Sequence, residues 1–322
     1  MRTERQPPTE RDIIEGFRAR PGALRADVVL GIGDDGAVLS LPPDSRLVAV
    51  VDTLVEGVHF PAAMPARCIG HRALAVNLSD IAAMGATPAW ATLALTLPAA
   101  DPAWLGEFVE GVAALAVRHD VALVGGDTTR GPLTVTMQLL GFASPGAWLT
   151  RANAAAGDLI FVSGTLGDAA AGLALLEAGD PRAGDPLVDR FLRPQPRVDE
   201  GRALVGIASA AIDVSDGFAA DLGKLLEASG AGAVLEPDRL PLSEALRRCH
   251  DRPDALRLAL SGGDDYELCF TVPPERVREL TRIAAAWPCA CTHVGHVTRR
   301  TGLRDAADRA IDIYGGYDHF RH

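Results

Sequence analysis

Short apolar segments of this chain repeatedly end in turns built from glycine and aspartate. Val28–Leu30 and Leu47–Val51 are predicted β-strands that run directly into such residues, as Val121–Val124 does before Gly125-Gly126-Asp127. A single aspartate in such a place commonly caps a helix or makes a turn. A set of aspartates at the ends of separate elements places a stronger constraint on the fold. The pattern predicts an α/β fold whose element ends bring carboxylates together. The aspartates concerned are Asp34, Asp35, Asp52, Asp80, Asp127, Asp213, Asp216, Asp264 and Asp265.

A helix is predicted from Ile69 to Met84, where leucine and isoleucine recur at helical spacing and a glycine and a proline follow. Asn77 and Asp80 are three residues apart, so they project from the same face, which is otherwise lined by alanines. Aspartate has a poor propensity for the middle of a helix. The polar pair therefore indicates a buried site.

The length and the apolar content predict two domains. The chain has 322 residues, of which 48% are hydrophobic, so it can bury a core. Predicted strands and helices of the first half continue to Trp148, and a second series begins near Ala156. We expect domains at residues 1–148 and 149–322.

The net charge of -11 argues against nucleic-acid binding, because affinity for a phosphate backbone requires clustered lysine and arginine. A bound polyphosphate would need the help of metal ions. The predicted partners are therefore small phosphorylated molecules.

The cysteines and the N-terminal segment predict a cytoplasmic protein without a membrane anchor. The five cysteines are scattered and odd in number, unlike a disulfide framework. Residues 1–17 alternate charge and proline without the apolar core of a signal peptide, and no later segment is apolar for long enough to cross a bilayer.

The segment Gly31–Gly36 matches the G-x-G-x-x-G pattern of dinucleotide-binding proteins, but its context argues against that site. A predicted strand ending at Pro42 follows it, so no helix N-terminus is available for a pyrophosphate, and Asp34 and Asp35 would repel one. Protein kinases use the same glycine pattern, but their companion motifs and a Walker A lysine motif are absent.

Carboxylates that converge from separate segments repel each other unless a cation neutralises them. Hard cations prefer oxygen ligands, and Mg²⁺ is usually shared between a few carboxylates and the phosphates of a substrate. The aspartates therefore indicate Mg²⁺-dependent nucleotide binding.

Six long strings of the sequence resemble those of the thiamine-monophosphate kinase family. They are residues 31–39 (GIGDDGAVL), 51–60 (VDTLVEGVHF), 77–86 (NLSDIAAMGA), 125–131 (GGDTTRG), 213–217 (DVSDG) and 261–268 (SGGDDYEL), and residues 316–320 (GYDHF) fit as well. The match runs in order along nearly the whole chain, so it is far more specific than any single pattern.

The resemblance implies an aminoimidazole ribonucleotide synthetase-like fold of the α/β (α+β) class. Its N-terminal domain would bind ATP and Mg²⁺ and form a homodimer through its sheet, beside a C-terminal α/β domain. ATP would lie between the domains and between subunits. The implied reaction is phosphorylation of thiamine monophosphate by ATP with several Mg²⁺ ions.

Carried over position by position, the resemblance implies three groups of site residues. The Mg²⁺ ligands would be Asp35, Asp52, Asp80, Asp127, Asp213 and Asp216. Contacts with ATP would come from Gly126, Asp127, Arg151 and Ser215. The thiamine monophosphate pocket would be lined by His59, Asp264 and Tyr317.

This sequence departs from the family pattern in two places. Val50 and Val51 stand where many relatives have hydroxylic residues that touch metal, so only their backbone carbonyls could contribute. Asp264 stands where the family often has glutamate, which shortens the reach of that carboxylate.

Two alternatives stay open at this point. One is another ATP-using member of the same superfamily. A selenophosphate synthetase, however, would need a reactive cysteine or selenocysteine with a lysine near the N-terminus, and a hydrogenase-maturation protein would need a C-terminal cysteine. The other is a non-catalytic regulator that binds a nucleotide or metal. Release of ADP that depends on thiamine monophosphate would separate the enzyme from the regulator.

Overall fold

The structure, a computed structural model, describes residues 9–20, 22–179, 184–313, 315–317 and 319–320. Residues 1–8 of the segment examined for a signal peptide lie outside the described residues. The chain divides into two units, one formed by residues 1–81 and 87–145 and the other by residues 82–86 and 146–322. The proposed boundary after residue 148 stays a prediction.

The first unit contains two sheets and three helices within its described residues. In chain order the elements are α1 (Glu10–Arg18), β1 (Val28–Leu30), β2 (Val38–Leu39), β3 (Arg46–Val55), α2 (Ala66–Ala83), β4 (Thr87–Leu97), α3 (Pro102–Arg118), β5 (Ala122–Arg130) and β6 (Thr134–Ala143). The larger sheet has the strand order β3-β6-β4-β5, and β1 pairs separately with β2. Strands β4 and β5 run parallel, whereas β6 is antiparallel to both of its neighbours.

The fully apolar run Leu47–Val51 predicts a buried strand that ends at Val51, and strand β3 corrects that expectation. It continues to Val55, so Asp52 lies within the strand, and it forms an edge of the sheet. Leu47 and Val51 are 55% and 59% exposed. A continuous apolar run indicates a strand but does not say which of its faces the core covers.

Strand β5 corrects the expectation that Gly125-Gly126-Asp127 is a loop, because all three residues pair with β4. Gly126 lies opposite Leu93 with a φ of 155°. A Cβ atom at Gly126 would lie 1.9 Å from the carbonyl oxygen of Leu93. Glycine is required here because the two backbones approach so closely.

Helices α2 and α3 cross at two glycines. A Cβ at Gly70 would lie 2.2 Å from the carbonyl oxygen of Phe108, and one at Gly111 would lie 2.0 Å from that of Arg67. The missing side chains let the helix backbones touch. Leu74, Leu78 and Ile81 of α2 are fully buried, as their predicted helical spacing requires.

The second unit is built around one mixed sheet. Its elements are β7 (Leu159–Ser163), α4 (Asp168–Glu177), α5 (Pro186–Leu192), α6 (Val198–Leu204), β8 (Ala210–Val214), α7 (Phe218–Ala228), β9 (Gly232–Leu235), α8 (Glu244–Cys249), α9 (Arg252–Ser261), β10 (Glu267–Val272), α10 (Val277–Ala284), β11 (Cys291–Thr298) and β12 (Gly302–Asp305). The strand order is β12-β9-β11-β7-β10-β8, with only β12 and β9 parallel among these pairs.

The sequence also predicts a loop over residues 213–217 and a last strand near residues 293–297, and the structure corrects both predictions. Asp213 belongs to strand β8 and not to the following loop, which begins at Ser215. The strand near His293 is not the last, because β12 follows it. The mixed helix and sheet content confirms the predicted α/β (α+β) class. Among the described helices, none is long and apolar enough to cross a membrane.

Candidate active site

A cavity of about 610 Å³ in the first unit brings together several of the predicted site residues. Asp35 lines it from the turn after β1, next to Asp34, and Gly126 and Asp127 line it from β5. The open backbone at Gly126 leaves the cavity wall free of a side chain at this point. The cavity therefore offers oxygen ligands beside exposed backbone, as a metal-bound nucleotide requires.

Helix α1 forms another wall of this cavity, which sequence reasoning missed. Thr9 begins the helix with a capping box, in which its hydroxyl accepts the Asp12 N–H at 3.3 Å and Asp12 accepts the Thr9 N–H at 2.8 Å. Arg11, Ile14 and Arg18 all line the cavity at helical spacing. The helical spacing of these three residues was visible in the sequence, but no sequence pattern indicated which part of the fold this face of α1 would contact.

Within the described residues, no three acidic, histidine or cysteine side chains come close enough together to form a metal site by themselves. Mg²⁺ commonly uses only one or two carboxylates and takes its other ligands from phosphates and water. The pairing of Asp35 and Asp127 around one cavity fits that donor set. The buried Asn77 also leaves its Oδ1 without a hydrogen-bond partner among the described residues, one helical turn before Asp80.

Asp52 does not share a single-chain site with Asp127. Their strands β3 and β5 are opposite edges of the sheet, with β6 and β4 between them. Three strand spacings of about 4.8 Å put roughly 14 Å between the two positions. Asp80 lies in α2 and is half-buried. The structure thus brings Asp35 and Asp127 together at one cavity, which Asp52 does not line.

Val50 and Val51 lie in the middle of edge strand β3, and His59 follows four residues after its end. The Val55 N–H donates to Nδ1 of His59 at 2.9 Å, which leaves the ring proton on Nε2. The tautomer is thus fixed by a local turn. Val50 and Val51 belong to β3, and an edge strand leaves alternate backbone groups without a partner strand.

In the second unit, four of the predicted site residues meet at one loop. The carbonyl oxygen of Ser215 accepts the Asp264 N–H at 2.8 Å, and that of Asp216 accepts the Tyr317 N–H at 3.0 Å. Asp213 is buried in the strand that leads into this loop. Arg151 is exposed, and its carbonyl oxygen accepts the Ser229 hydroxyl at 3.0 Å.

The segment around Asp264 has an unusual backbone. Gly263, Asp264 and Tyr266 have φ values of 71°, 62° and 50°, which are rare for residues with side chains. The Tyr266 hydroxyl donates to Asp264 Oδ1 at 3.0 Å, and the Tyr266 N–H donates to the Val214 carbonyl at 2.8 Å. Strained backbone of this kind persists where its surroundings hold it and is frequent at ligand sites.

A buried ion cluster anchors strand β10 directly after this segment. Glu267 is fully buried and accepts from Arg190 at 2.7 Å and from Arg197 through two atoms at 2.6 Å each. The Ser163 hydroxyl donates to the same carboxylate at 2.6 Å. Removing one partner of such a buried cluster costs far more than the net stabilisation that it provides.

Asp265, between the strained residues, is fully buried, and burial raises the pKa of its carboxyl to about 8, against the opposing effects of the Gly167 N–H and of Arg190. The unfolded carboxyl titrates near about 4. Between these two pH values the folded state holds a proton that the unfolded state has lost, so the free energy of unfolding falls as pH rises. The stabilisation that comes from the protonated Asp265 carboxyl is complete below about pH 4 and is lost by about pH 8.

Asp265→Asn is therefore expected to reduce the fall in the free energy of unfolding between pH 5 and pH 8, because the amide cannot ionise. Urea denaturation at both pH values measures it. Asp199→Asn, at a position 91% exposed, is the control and should keep the wild-type pH dependence. Equal pH dependence in Asp265→Asn and wild type would contradict the expectation.

Comparison with known proteins assigns this chain to a family. Residues 33–143 match the family described as AIR synthase related protein, N-terminal domain, and residues 155–306 match AIR synthase related protein, C-terminal domain. The thiamine-monophosphate kinase of Escherichia coli K12 is 46% identical over 319 residues, covering 97% of this chain and 98% of that protein. The chain belongs to the thiamine-monophosphate kinase family.

Solved structures of this kinase family have the same fold. The thiamine-monophosphate kinase of Stenotrophomonas maltophilia K279a gives a TM-score of 0.86 at 45% identity, covering 93% of this chain and 96% of that one. AaThiL complexed with AMPPCP and TMP gives 0.77 at 32% identity, covering 90% and 92%. The predicted family and its two-domain fold are thereby confirmed.

Proposed function

We propose that this chain transfers the γ-phosphoryl group of ATP to the phosphate of thiamine monophosphate, which yields thiamine diphosphate and ADP. The observation that carries the proposal is the cavity where Asp35, Gly126 and Asp127 meet, in a chain 46% identical to a thiamine-monophosphate kinase over nearly its whole length. The complex of AaThiL with AMPPCP and TMP supports the same pair of substrates.

The acceptor needs little activation by the protein. A phosphate monoester has a second pKa near about 6, so its attacking oxygen is largely ionised at neutral pH. The protein must instead hold two mutually repelling phosphates in line. Gly126 provides close backbone approach for this task, Ser215 a hydroxyl and Arg151 a guanidinium.

The carboxylates are proposed to hold Mg²⁺. The ligands are Asp35, Asp52, Asp80, Asp127, Asp213 and Asp216, with backbone carbonyls of Val50 and Val51 as further donors. When bound, Mg²⁺ supplies charge neutralisation and a fixed orientation for the phosphate oxygens. Asp127, Asp80 and Asp213 lie on strand β5, helix α2 and strand β8, and these regular elements hold their carboxylate oxygens in place.

The proposed pocket for thiamine monophosphate uses His59, Asp264 and Tyr317. His59 can donate from Nε2 because its Nδ1 is occupied by the Val55 N–H. Tyr317 is 50% exposed, so its ring is accessible to a ligand, while its N–H is held by Asp216. The thiazolium ring of the substrate carries a permanent positive charge, which an aromatic face attracts.

We further propose a cytoplasmic homodimer. The exposed apolar side chains Leu47 and Val51 on edge strand β3 offer a surface for a second copy, which would also account for the separation of Asp52 from Asp127 within one chain. A reducing compartment agrees with the absence of a disulfide among the five cysteines, all within the described residues. Sedimentation of a monomer at micromolar concentration would contradict the dimer.

The test of the function is a coupled assay of ADP release. ADP should form only when ATP, Mg²⁺ and thiamine monophosphate are all present, and thiamine diphosphate should appear in equal amount. Aminoimidazole precursors replace thiamine monophosphate in the control reactions. ATP binding without any ADP release would indicate a regulator instead, and release with an aminoimidazole precursor alone would indicate another superfamily activity.

Tyr317→Ala is expected to raise KM for thiamine monophosphate by about 2- to 30-fold, as the loss of roughly 0.5 to 2 kcal/mol of cation–π or stacking contact implies. KM for ATP should stay within about twofold, because the proposed contact is with the other substrate. Tyr317→Phe keeps the ring face and should resemble wild type. If Tyr317→Ala changes neither KM, the side chain does not contact substrate.

A further inference from the structure

Lys224 is the only lysine in the chain, since the 31 basic residues are otherwise arginines. It lies in α7, directly after the loop that carries Ser215 and Asp216. Its ammonium group donates to the carboxylates of both Asp216 and Asp221, the latter at 2.7 Å. The side chain is 40% exposed, which places it at the border between the loop and solvent.

Asp221 in turn holds the backbone of this loop. It is 1% exposed, and its Oδ2 accepts the N–H groups of Ser215 and Asp216, each at 2.9 Å. Gly217, which begins α7, provides no side-chain cap. The Asp221 carboxylate, four residues into the helix, therefore satisfies backbone donors that would otherwise be left without partners.

The loop 215–217 also packs closely against Gly263 and Gly316. A Cβ at Gly316 would lie 2.6 Å from the Asp216 carbonyl oxygen, and one at Gly263 would lie 2.7 Å from that of Ser215. The hydrogen bonds from Asp264 and Tyr317 end on the same two carbonyls. A shift of this loop would therefore displace residues proposed for both ATP and thiamine monophosphate.

We infer that Lys224 and Asp221 are positioning residues, which fix the loop 215–217 and through it Asp264 and Tyr317. The kinetic part of this inference rests on the proposed function. An ordinary surface ion pair contributes little and would leave the site unaffected. Here one compact ammonium group links a buried carboxylate to a half-buried one, an arrangement for which the planar fork of arginine is poorly suited.

The test compares Lys224→Met with wild type by hydrogen–deuterium exchange and kinetics. Removal of the ammonium should accelerate exchange of the amides of Ser215 and Asp216 about tenfold or more and lower kcat by about 10- to 100-fold, because small displacements of reacting groups are costly. The matched control is Arg257→Met, which removes the cation of an exposed Asp–Arg pair with the same three-residue spacing on α9. It should change neither quantity.

A second measurement covers the case in which Lys224→Met does not fold. Apart from the α-amino group, Lys224 is the one amine in the sequence that an amine-selective acetylating reagent can modify, so mass spectrometry of the treated folded protein can follow one side chain. As the acetylated fraction of Lys224 rises, kcat should fall and the amides of Ser215 and Asp216 should exchange faster. The same treatment of Lys224→Arg, which lacks the ε-amine, should cause no further loss.

The inference is overturned if exchange of the loop is unchanged in Lys224→Met, or if fully acetylated protein keeps its kcat. A loss of thermal stability with normal loop exchange and normal kcat would assign a purely structural role. If the wild-type protein released no ADP with thiamine monophosphate, the proposed function would fail, and the exchange experiment would still decide the positioning role.

Discussion

Asp213→Asn and Asp80→Asn are each expected to lower kcat for thiamine diphosphate formation by about 100-fold or more, the effect of losing one element of charge stabilisation at a phosphoryl transfer site. Asparagine keeps the shape of the side chain but not its charge, so binding of a cation is weakened while packing is preserved. Asp213 lies in strand β8 and Asp80 in helix α2, so regular secondary structure holds both carboxylates.

Both variants should remain folded, and the melting temperature of the metal-free protein should be equal to or above that of wild type, because the proposed metal site gathers like charges and one of them has been removed. Steady-state kinetics at saturating Mg²⁺ and substrates, together with thermal melts, measure the two quantities. Asp238→Asn is the matched control, since this acid pairs with Arg252 on the surface at 2.7 Å. Either test variant with more than half of the wild-type kcat would show that its carboxylate is not a metal ligand.

Gly126→Ala is expected to lower the free energy of unfolding by about 2 to 5 kcal/mol, the combined cost of an overpacked contact and of a strained backbone. The added methyl group would lie 1.9 Å from the Leu93 carbonyl oxygen and 2.9 Å from the Leu93 nitrogen. Because these atoms belong to the neighbouring strand, the only relief is to move β5 away from β4. That movement would carry Asp127 with it.

Gly125→Ala provides the control in the same strand, because no atom lies within 4 Å of a Cβ at that position. Its unfolding free energy should stay within about 1 kcal/mol of wild type. Urea denaturation of the three proteins measures the difference. Equal destabilisation by the two substitutions would mean that the close approach at Leu93 does not determine the strand geometry.

The sequence predicts local structure well where one pattern decides it. The helix predicted over residues 69–84 is observed over Ala66–Ala83, because its apolar residues recur with a single helical period. Strand β1 is found at the predicted residues. The composition of Gly125-Gly126-Asp127 predicts a loop, because glycine is depleted in strands. The neighbouring Leu93 backbone overrides that tendency, and no local pattern encodes it.

Contacts between the candidate site residues were harder to predict from the sequence than the candidate residues themselves. The family strings identify Asp52 and Asp127 equally, but the strand order of the sheet separates them within one chain. Arg18 of α1 lines the cavity, and the buried Ile13 and Phe17 of the same helix anchor it in the core. Such partners depend on contacts between segments that are far apart in sequence, which periodicity cannot reveal.

The all-round burial of α2 also changes what its sequence can tell us about relatives. Leu74, Leu78 and Ile81 are fully buried, and Gly70 touches another helix backbone, so almost any change along this helix disturbs packing. A string such as 77–86 would then persist in proteins that share the fold but not the chemistry. As a marker of activity it carries little information apart from Asp80. In segment 125–131 Gly126 is likewise fixed by packing against Leu93, so the exposed Asp127 and Arg130 are its more informative residues.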